Sequence, residues 1–481
     1  MSKTRTYSGS EATSWTACEA VEKLMTGEVT PTELIDAAVT RIEQVDGAVN
    51  AVVTVCAERA KEKARHIKTH DPKDKAGYLA GLPLGIKDLT AVEGVRTTFG
   101  NMAYRDHVPT FSDPVVEKIE HRGGIILGKT NTPEFGAGAN TFNEVFGMTR
   151  NPYDTRLNAG GSSGGAAVSL ATGCLWLSHG TDLAGSLRTP ASFNNVVGLR
   201  PTPGRCASLS PATFLVEGAA GPMARNIHDL ALFLDAMTGT DDRIPLSLER
   251  PTRSFLDSCE DKTRQLKIAF SVDQGKFAPV ESNIRDVLQH ALGQISQGGH
   301  IVEDFCPELP SLYETYVTIR GIHYASIPAS QPAHVQKYYK KTLADNVASG
   351  LALNPEQIFA CQRQRTVLVR KMAEFFATFD LLAIPVTGIA PGPVEVEYPL
   401  FVDNQPQEDY VDWLRFSFLA TTCGLPALSL PAGFTEDGLP VGIQLIGKPR
   451  GEAQLLHAGR MIEDILNIPS SPIDPNIRHE C

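Results

Sequence analysis

No stretch of this 481-residue sequence reaches the roughly 18 uninterrupted apolar residues that a membrane-spanning helix needs. The polar N-terminus, MSKTRTYSGSEATSW, has no apolar segment behind its basic residues and does not read as a secretory leader. Cysteine pairs at C-x-x-C spacing are missing. The nine cysteines are scattered and odd in number, which fits reduced thiols in the cytoplasm better than a disulfide framework. Positive charge is not in excess: 44 Lys and Arg against 55 Asp and Glu give a net charge of -11. That balance argues against nucleic acid or an anionic membrane surface as the main partner. Internal repeats and low-complexity tracts are absent as well.

What is present is enough apolar material for a large core, since 42% of the residues are hydrophobic. Thr30 is placed to cap a helix, with Pro31 at its first position and Glu33 completing a capping box. Leu34, Ala38 and Ile42 follow at helical spacing. Residues 49 to 55 read as a strand and 57 to 76 as a solvated helix. From about 80 to 240 the chain is rich in glycine and small residues, with short apolar runs such as Ile125–Leu127 and Leu175–Leu177 between turn signals. This alternation predicts an α/β fold with a sheet covered by helices on both faces. Phe379 to Pro385 and Leu428 to Pro431 read as further buried strands, and Glu436-Asp437-Gly438 as a hairpin turn. Strand-like segments at both ends favour one large domain.

Three segments carry chemistry. In Gly160-Gly161-Ser162-Ser163-Gly164-Gly165, four glycines bend the backbone sharply, and the alanine-rich run behind them starts a helix whose N-terminal N–H groups favour negative charge. The plain alternative is a flexible Gly/Ser turn. In Gly180-Thr181-Asp182-Leu183-Ala184-Gly185-Ser186-Leu187-Arg188, small residues before Ser186 let several N–H groups converge on one point, as an oxyanion hole requires. The plain alternative is a tight turn held by an Asp182–Arg188 ion pair. In Leu82-Pro83-Leu84-Gly85-Ile86-Lys87-Asp88, a lysine stands inside an apolar run. Its ammonium either reaches water or is buried and loses its proton, which makes a general base near neutral pH.

Together these segments resemble the amidase signature family, which has a lysine in G-[IV]-K-D, a GGSSGG segment, and G-[ST]-D-x-x-G-S-[IL]-R with its serine 24 positions after the first serine of GGSSGG. Ser162 and Ser186 have that spacing. The likeness extends to Gly128–Phe135, Thr149–Pro152, Val197–Thr202, Gly424–Ala427 and Gly438–Gln444, and so covers about residues 30 to 460. The resemblance implies a single large α/β domain with a mixed, twisted sheet. It divides the chain into an N-terminal helical region (1–78), a core carrying the motifs (79–240), a variable helical region on the substrate side (241–345) and a C-terminal part of the same domain (346–481). It implies that Ser186 attacks an amide carbonyl, that Ser162, after a cis peptide bond, relays the proton, and that Lys87 is the base. Leu183, Ala184, Gly185 and Ser186 would supply the oxyanion N–H groups. Ser163, Asp182 and Arg188 would support them, with Gly136 on the substrate side. The family has Gly-Gly before the nucleophile where this chain has Ala184-Gly185, and the added methyl bears on substrate size.

Rival signals are weaker. Gly123 to Thr130 matches the nucleotide-binding pattern G-x-x-x-x-G-K-T, but its Ile-Ile-Leu run is a poor phosphate cradle. His66 and His70 lie four apart, as metal ligands on a helix could, but sit among lysines and read as a solvated face. His179 with Asp182 fits none of the usual hydrolase arrangements. Tyr313, Tyr316 and Tyr324 are either substrate-side residues or helix packing. The function expected is hydrolysis of small, medium or aryl amides, with esters and carbamates as candidate substrates. The alternatives are a glutaminase-type subunit of a tRNA-dependent amidotransferase and, in another class, a P-loop-like nucleotide binder. No cofactor or metal is expected. The expected partner is a small-molecule amide, with no nucleic acid or membrane, and a homodimer is left open.

Overall fold

The computed structural model describes residues 5–67 and 75–478. Eleven strands form one mixed sheet. In chain order they are β1 (Val52–Val55), β2 (Pro83–Lys87), β3 (Ile125–Thr130), β4 (Ser178–Asp182), β5 (Val197–Arg200), β6 (Ala219–Ala224), β7 (Lys267–Phe270), β8 (Ile301–Asp304), β9 (Leu381–Pro385), β10 (Ala427–Phe434) and β11 (Pro440–Ile446). Their order across the sheet is β1-β3-β2-β4-β6-β5-β10-β11-β9-β7-β8. Strands β3, β2 and β4 run parallel, as do β9, β7 and β8, with antiparallel pairs between the two groups. Every residue of β2 and β3 is buried, because helices flank the sheet and leave these strands no solvent face. One contiguous cluster of buried apolar side chains runs from Ala17 to Leu466.

The helix Pro31–Val49 begins as its sequence dictates. Thr30 Oγ1 accepts the Glu33 N–H, and the Glu33 carboxylate accepts the Thr30 N–H. It ends later than expected. Val49 is its last residue, Asn50 caps it in the left-handed region, and β1 starts only at Val52. The expected helix over 57–76 is described only as Ala57–Ala64; residues 68 to 74 lie outside the described residues. The apolar run Leu175–Leu177 lies just before its strand, which spans Ser178–Asp182. Leu175, Trp176 and Leu177 are buried, yet they belong to the turn that feeds it. Glu436 to Gly438 do form the turn of the β10–β11 hairpin.

The segment 241–345 is not uniformly helical. It supplies β7, β8 and the helix Ser282–Gln297 at the far edge of the sheet. From Leu312 it supplies the helices Leu312–Ser326 and Lys341–Leu351, and Arg320 and Tyr324 of the first line a cleft with Leu183, the residue after β4.

Candidate active site

The site is built where β2 and β4 end beside the GGSSGG turn. The Gly161–Ser162 peptide bond is cis. Ser163 stands at the N-cap of the helix Gly164–Ala171, whose first turn presses on the end of β3. A Cβ on Gly165 would lie 2.3 Å from the Asn131 nitrogen, so only glycine allows that approach. The Ser163 N–H donates to the Ser186 carbonyl at 3.2 Å, which ties this turn to the one after β4.

Lys87, the last residue of β2, is wholly buried. Its Nζ lies 2.6 Å from Ser162 Oγ, 2.9 Å from Ser163 Oγ and 3.0 Å from Thr181 Oγ1. Burial pushes its pKa well below the ordinary lysine range, against the pull of Asp182. A neutral amine has two N–H donors and one lone pair. Ser163 Oγ gives its own hydrogen to the Thr181 carbonyl at 3.3 Å, so it accepts from Lys87. With Thr181 taking the second N–H, the lone pair faces Ser162, the nearest of the three hydroxyls. The arrangement can therefore take a proton from Ser162. The sequence reading gave no role to Thr181, although a hydroxyl inside the G-T-D motif, beside a buried lysine, was the signal for one.

The turn after β4 is organised by Asp182. Its carboxylate accepts the N–H of Gly185 at 3.0 Å and of Leu187 at 3.1 Å, and it holds Arg188 through two bonds of 2.8 and 3.0 Å. Arg200 lies 3.5 Å from the same carboxylate. Burial alone would raise the Asp182 pKa, but Arg188 and Arg200 hold it well below the usual carboxylate range. Arg188 also donates to Gln444 Oε1 at 2.5 Å, so the C-terminal motif supports the turn from β11. The Gly185 N–H, expected among the oxyanion donors, points inward to Asp182 in this structure. The N–H groups of Leu183, Ala184 and Ser186 donate to no described residue. Ser186 Oγ likewise makes no hydrogen bond with the described residues and lies at the wall of a cleft.

Gly136, Gly138 and Ala139 line one side of that cleft, with Leu183 and Ala184 beside Ser186. A methyl group on Gly136 would sit 3.5 Å from Ser162 Oγ, so Gly136 borders both serines. Opposite lie Arg320, Tyr324, Tyr410 and Leu414. The sequence reading missed Arg320, Tyr410 and Leu414, which carry no local motif. The three tyrosines it named divide. Tyr324 lines the cleft, Tyr316 is buried and stacked on Phe418 with ring centroids 3.7 Å apart, and Tyr313 packs against Phe418 and Arg415.

The model of the amidase family matches residues 33–456. This chain is a member of the amidase signature family. A solved bacterial aryl acylamidase of the amidase signature enzymes superposes on it with a TM-score of 0.87 at 28% identity, covering 95% of this chain and 97% of that one. An acylamidase of Rhodococcus erythropolis is 31% identical, over 93% of this chain and 95% of its own length. A glutamyl-tRNA(Gln) amidotransferase subunit from Synechococcus sp. (strain CC9605) is 30% identical, over 94% of this chain and 96% of its own.

Within this amidase-signature hydrolase the rival readings fall away. The G-x-x-x-x-G-K-T segment is strand β3 rather than a loop. Its backbone is spent on β1 and β2, and Lys129 Nζ donates to the Thr90 carbonyl at 2.5 Å and to Thr97 Oγ1 at 2.8 Å, so no phosphate cradle exists there. Burial, reinforced by Lys87 and Lys129, pushes the His179 pKa down to about 3, and Asp182 is spent on Arg188. His66 is exposed and faces Glu62, and His70 lies outside the described residues. Among the described residues no helix is long and apolar enough to cross a membrane, and the eight described cysteines are free thiols.

Proposed function

We propose that this hydrolase cleaves linear carboxylic amides through an acyl-enzyme on Ser186, with Ser162 as proton relay and Lys87 as neutral base. The contact between Lys87 and Ser162, in complete burial, carries this reading. Uncharged Lys87 draws the Ser162 proton as Ser162 draws that of Ser186, and the Ser186 oxygen bonds to the carbonyl carbon. Three N–H groups, of Leu183, Ala184 and Ser186, stabilise the oxyanion. The proton returns through Ser162 to the leaving amine as the C–N bond breaks. Water, activated by the same relay, then frees the acid. Hydrogen bonds of this kind often close only around substrate, which accounts for the unpartnered Ser186 Oγ. The similarity to two acylamidases favours acyl anilides and related aryl amides, with esters and carbamates within reach of the same acyl-enzyme.

Release of aniline from acyl anilides is the assay. The wild-type chain is expected to turn these over, and Ser186→Ala to lose the activity entirely. An active Ser186→Ala protein contradicts the mechanism. A second reading, a glutaminase component that passes ammonia to a partner, is favoured by the similarity to the amidotransferase. Both readings use the same three side chains and differ in substrate and assembly.

A further inference from the structure

Arg320 is a buried cation without an anion. Its side chain is 5% exposed, and among the described residues no carboxylate pairs with it. Four other buried arginines are answered by carboxylates, Arg188 and Arg200 by Asp182, Arg205 by Glu452 and Arg41 by Asp474, while Arg225 spends its donors on the Ser14 and Trp15 carbonyls away from the cleft. Arg320 instead meets neutral groups. Nε donates to Asn346 Oδ1 at 2.8 Å, and Nη2 donates to the hydroxyls of Tyr324, at 3.0 Å, and of Tyr410. The guanidinium lies 4.5 Å and 5.1 Å from the centroids of those two rings. Nη1 makes no well-formed hydrogen bond with the described residues, although the guanidinium also meets the buried Tyr316 hydroxyl. The nearby acids are committed elsewhere, Glu397 to Lys340 and Thr342, and Glu134 to Asn101 and the Lys340 N–H.

A guanidinium cannot shed its proton, and burying one unpaired is costly. Phenols, an amide and ring faces lower that cost without cancelling the charge. The packing holds the group in place. Arg320 and Tyr324 share a face of the helix Leu312–Ser326. Asn346 arrives from Lys341–Leu351, which crosses so closely that a Cβ on Gly350 would lie 2.2 Å from the Gly321 carbonyl oxygen. Among the described residues, Arg320 is the one charged side chain on the cleft that Ser186 borders.

We propose that Arg320, with the Tyr324 and Tyr410 hydroxyls, is a carboxylate-recognition site, and that the preferred substrate is an amide that carries a carboxylate. The proposal rests on the reading of Ser186 as nucleophile. Nη1 faces no carboxylate among the described residues, and the Tyr324 and Tyr410 hydroxyls, which also bond each other, leave one phenol hydrogen between them to donate. The two oxygens of one carboxylate can accept from the guanidinium and from that phenol.

The test is kcat/KM for ω-carboxyacyl 4-nitroanilides, from succinyl to adipoyl, against acyl chains of the same shape ending in an isopropyl group. 4-Acetamidobenzoate against 4-isopropylacetanilide examines the amine side. At least one carboxylate is expected to exceed its neutral counterpart by about tenfold or more, as a charge-assisted hydrogen bond provides. Arg320→Met is expected to bring that ratio near one, and Arg320→Lys to keep part of it. The wild-type ratio decides even if the variants fail to fold. An enzyme that turns over the neutral members as fast as the charged ones overturns the carboxylate site and leaves the amidase reading standing. An enzyme that turns over none, with no fluorophosphonate adduct on Ser186, removes both.

Discussion

At the scale of single residues, the decisive matter is which atom holds a proton. Lys87 is useful as a base only while its lone pair is free, and burial keeps it free by holding its pKa below the ordinary lysine range. The sign follows directly. As pH falls, the amine gains a proton, the lone pair disappears, and kcat/KM falls. The acid limb of the pH–rate profile is thus expected below the ordinary lysine range, and a rate unchanged far into acid contradicts the assignment. Lys87→Ala is expected to cost about 10²–10⁴-fold in kcat, the usual worth of a general base. The motif residues were legible because three segments, each with a plain alternative of its own, occur together at the spacing of the amidase signature family. Arg320 and Tyr410 were not. Their contact joins positions 90 apart, and neither has a signature of its own.

At the scale of elements, the turn after β4 is the part most exposed to a single change. Asp182 holds two N–H groups and the Arg188 guanidinium in one buried carboxylate. Asp182→Asn leaves Arg188 and Arg200 without their anion. A loss of about 3 kcal/mol is expected, the lower range for breaking a buried pair, read as a fall in the urea midpoint. A midpoint unchanged within error contradicts the role given to Asp182. Elements were legible where periodicity and capping agreed, as in Pro31–Val49 with its Thr30–Glu33 box. They were misplaced where burial came from somewhere other than the sheet. Leu175 to Leu177 look like a strand because they are apolar, yet they fill the core from a turn, and the ladder begins at Ser178. Gly123 to Thr130 matched a loop motif by composition, but its Ile-Ile-Leu run was the stronger signal and became β3.

At the scale of the whole molecule, the fold sets Lys87 against Ser162, the Ser163–Ser186 backbone bond ties the Ser186 turn alongside, and Arg320 and Tyr324 of the helix Leu312–Ser326 line the cleft at Ser186. The mixed α/β class was legible from alternating apolar runs. The strand order was not, because the pairing of β5 with β10 joins segments more than two hundred positions apart and no local pattern records it. The cleft lies within a single chain, so the chain alone is expected to turn over anilides. Glutamine hydrolysis that appears only with an added partner protein, and no anilide hydrolysis without it, favours the glutaminase reading instead. The most direct measurement is peptide mapping after reaction with a fluorophosphonate, with the labelling rate compared between wild type and Lys87→Ala. The expected result is one adduct, on Ser186, formed far more slowly in the variant. An adduct on another residue, or Ser186 labelled as quickly without Lys87, contradicts the central claim that a buried uncharged lysine activates this serine.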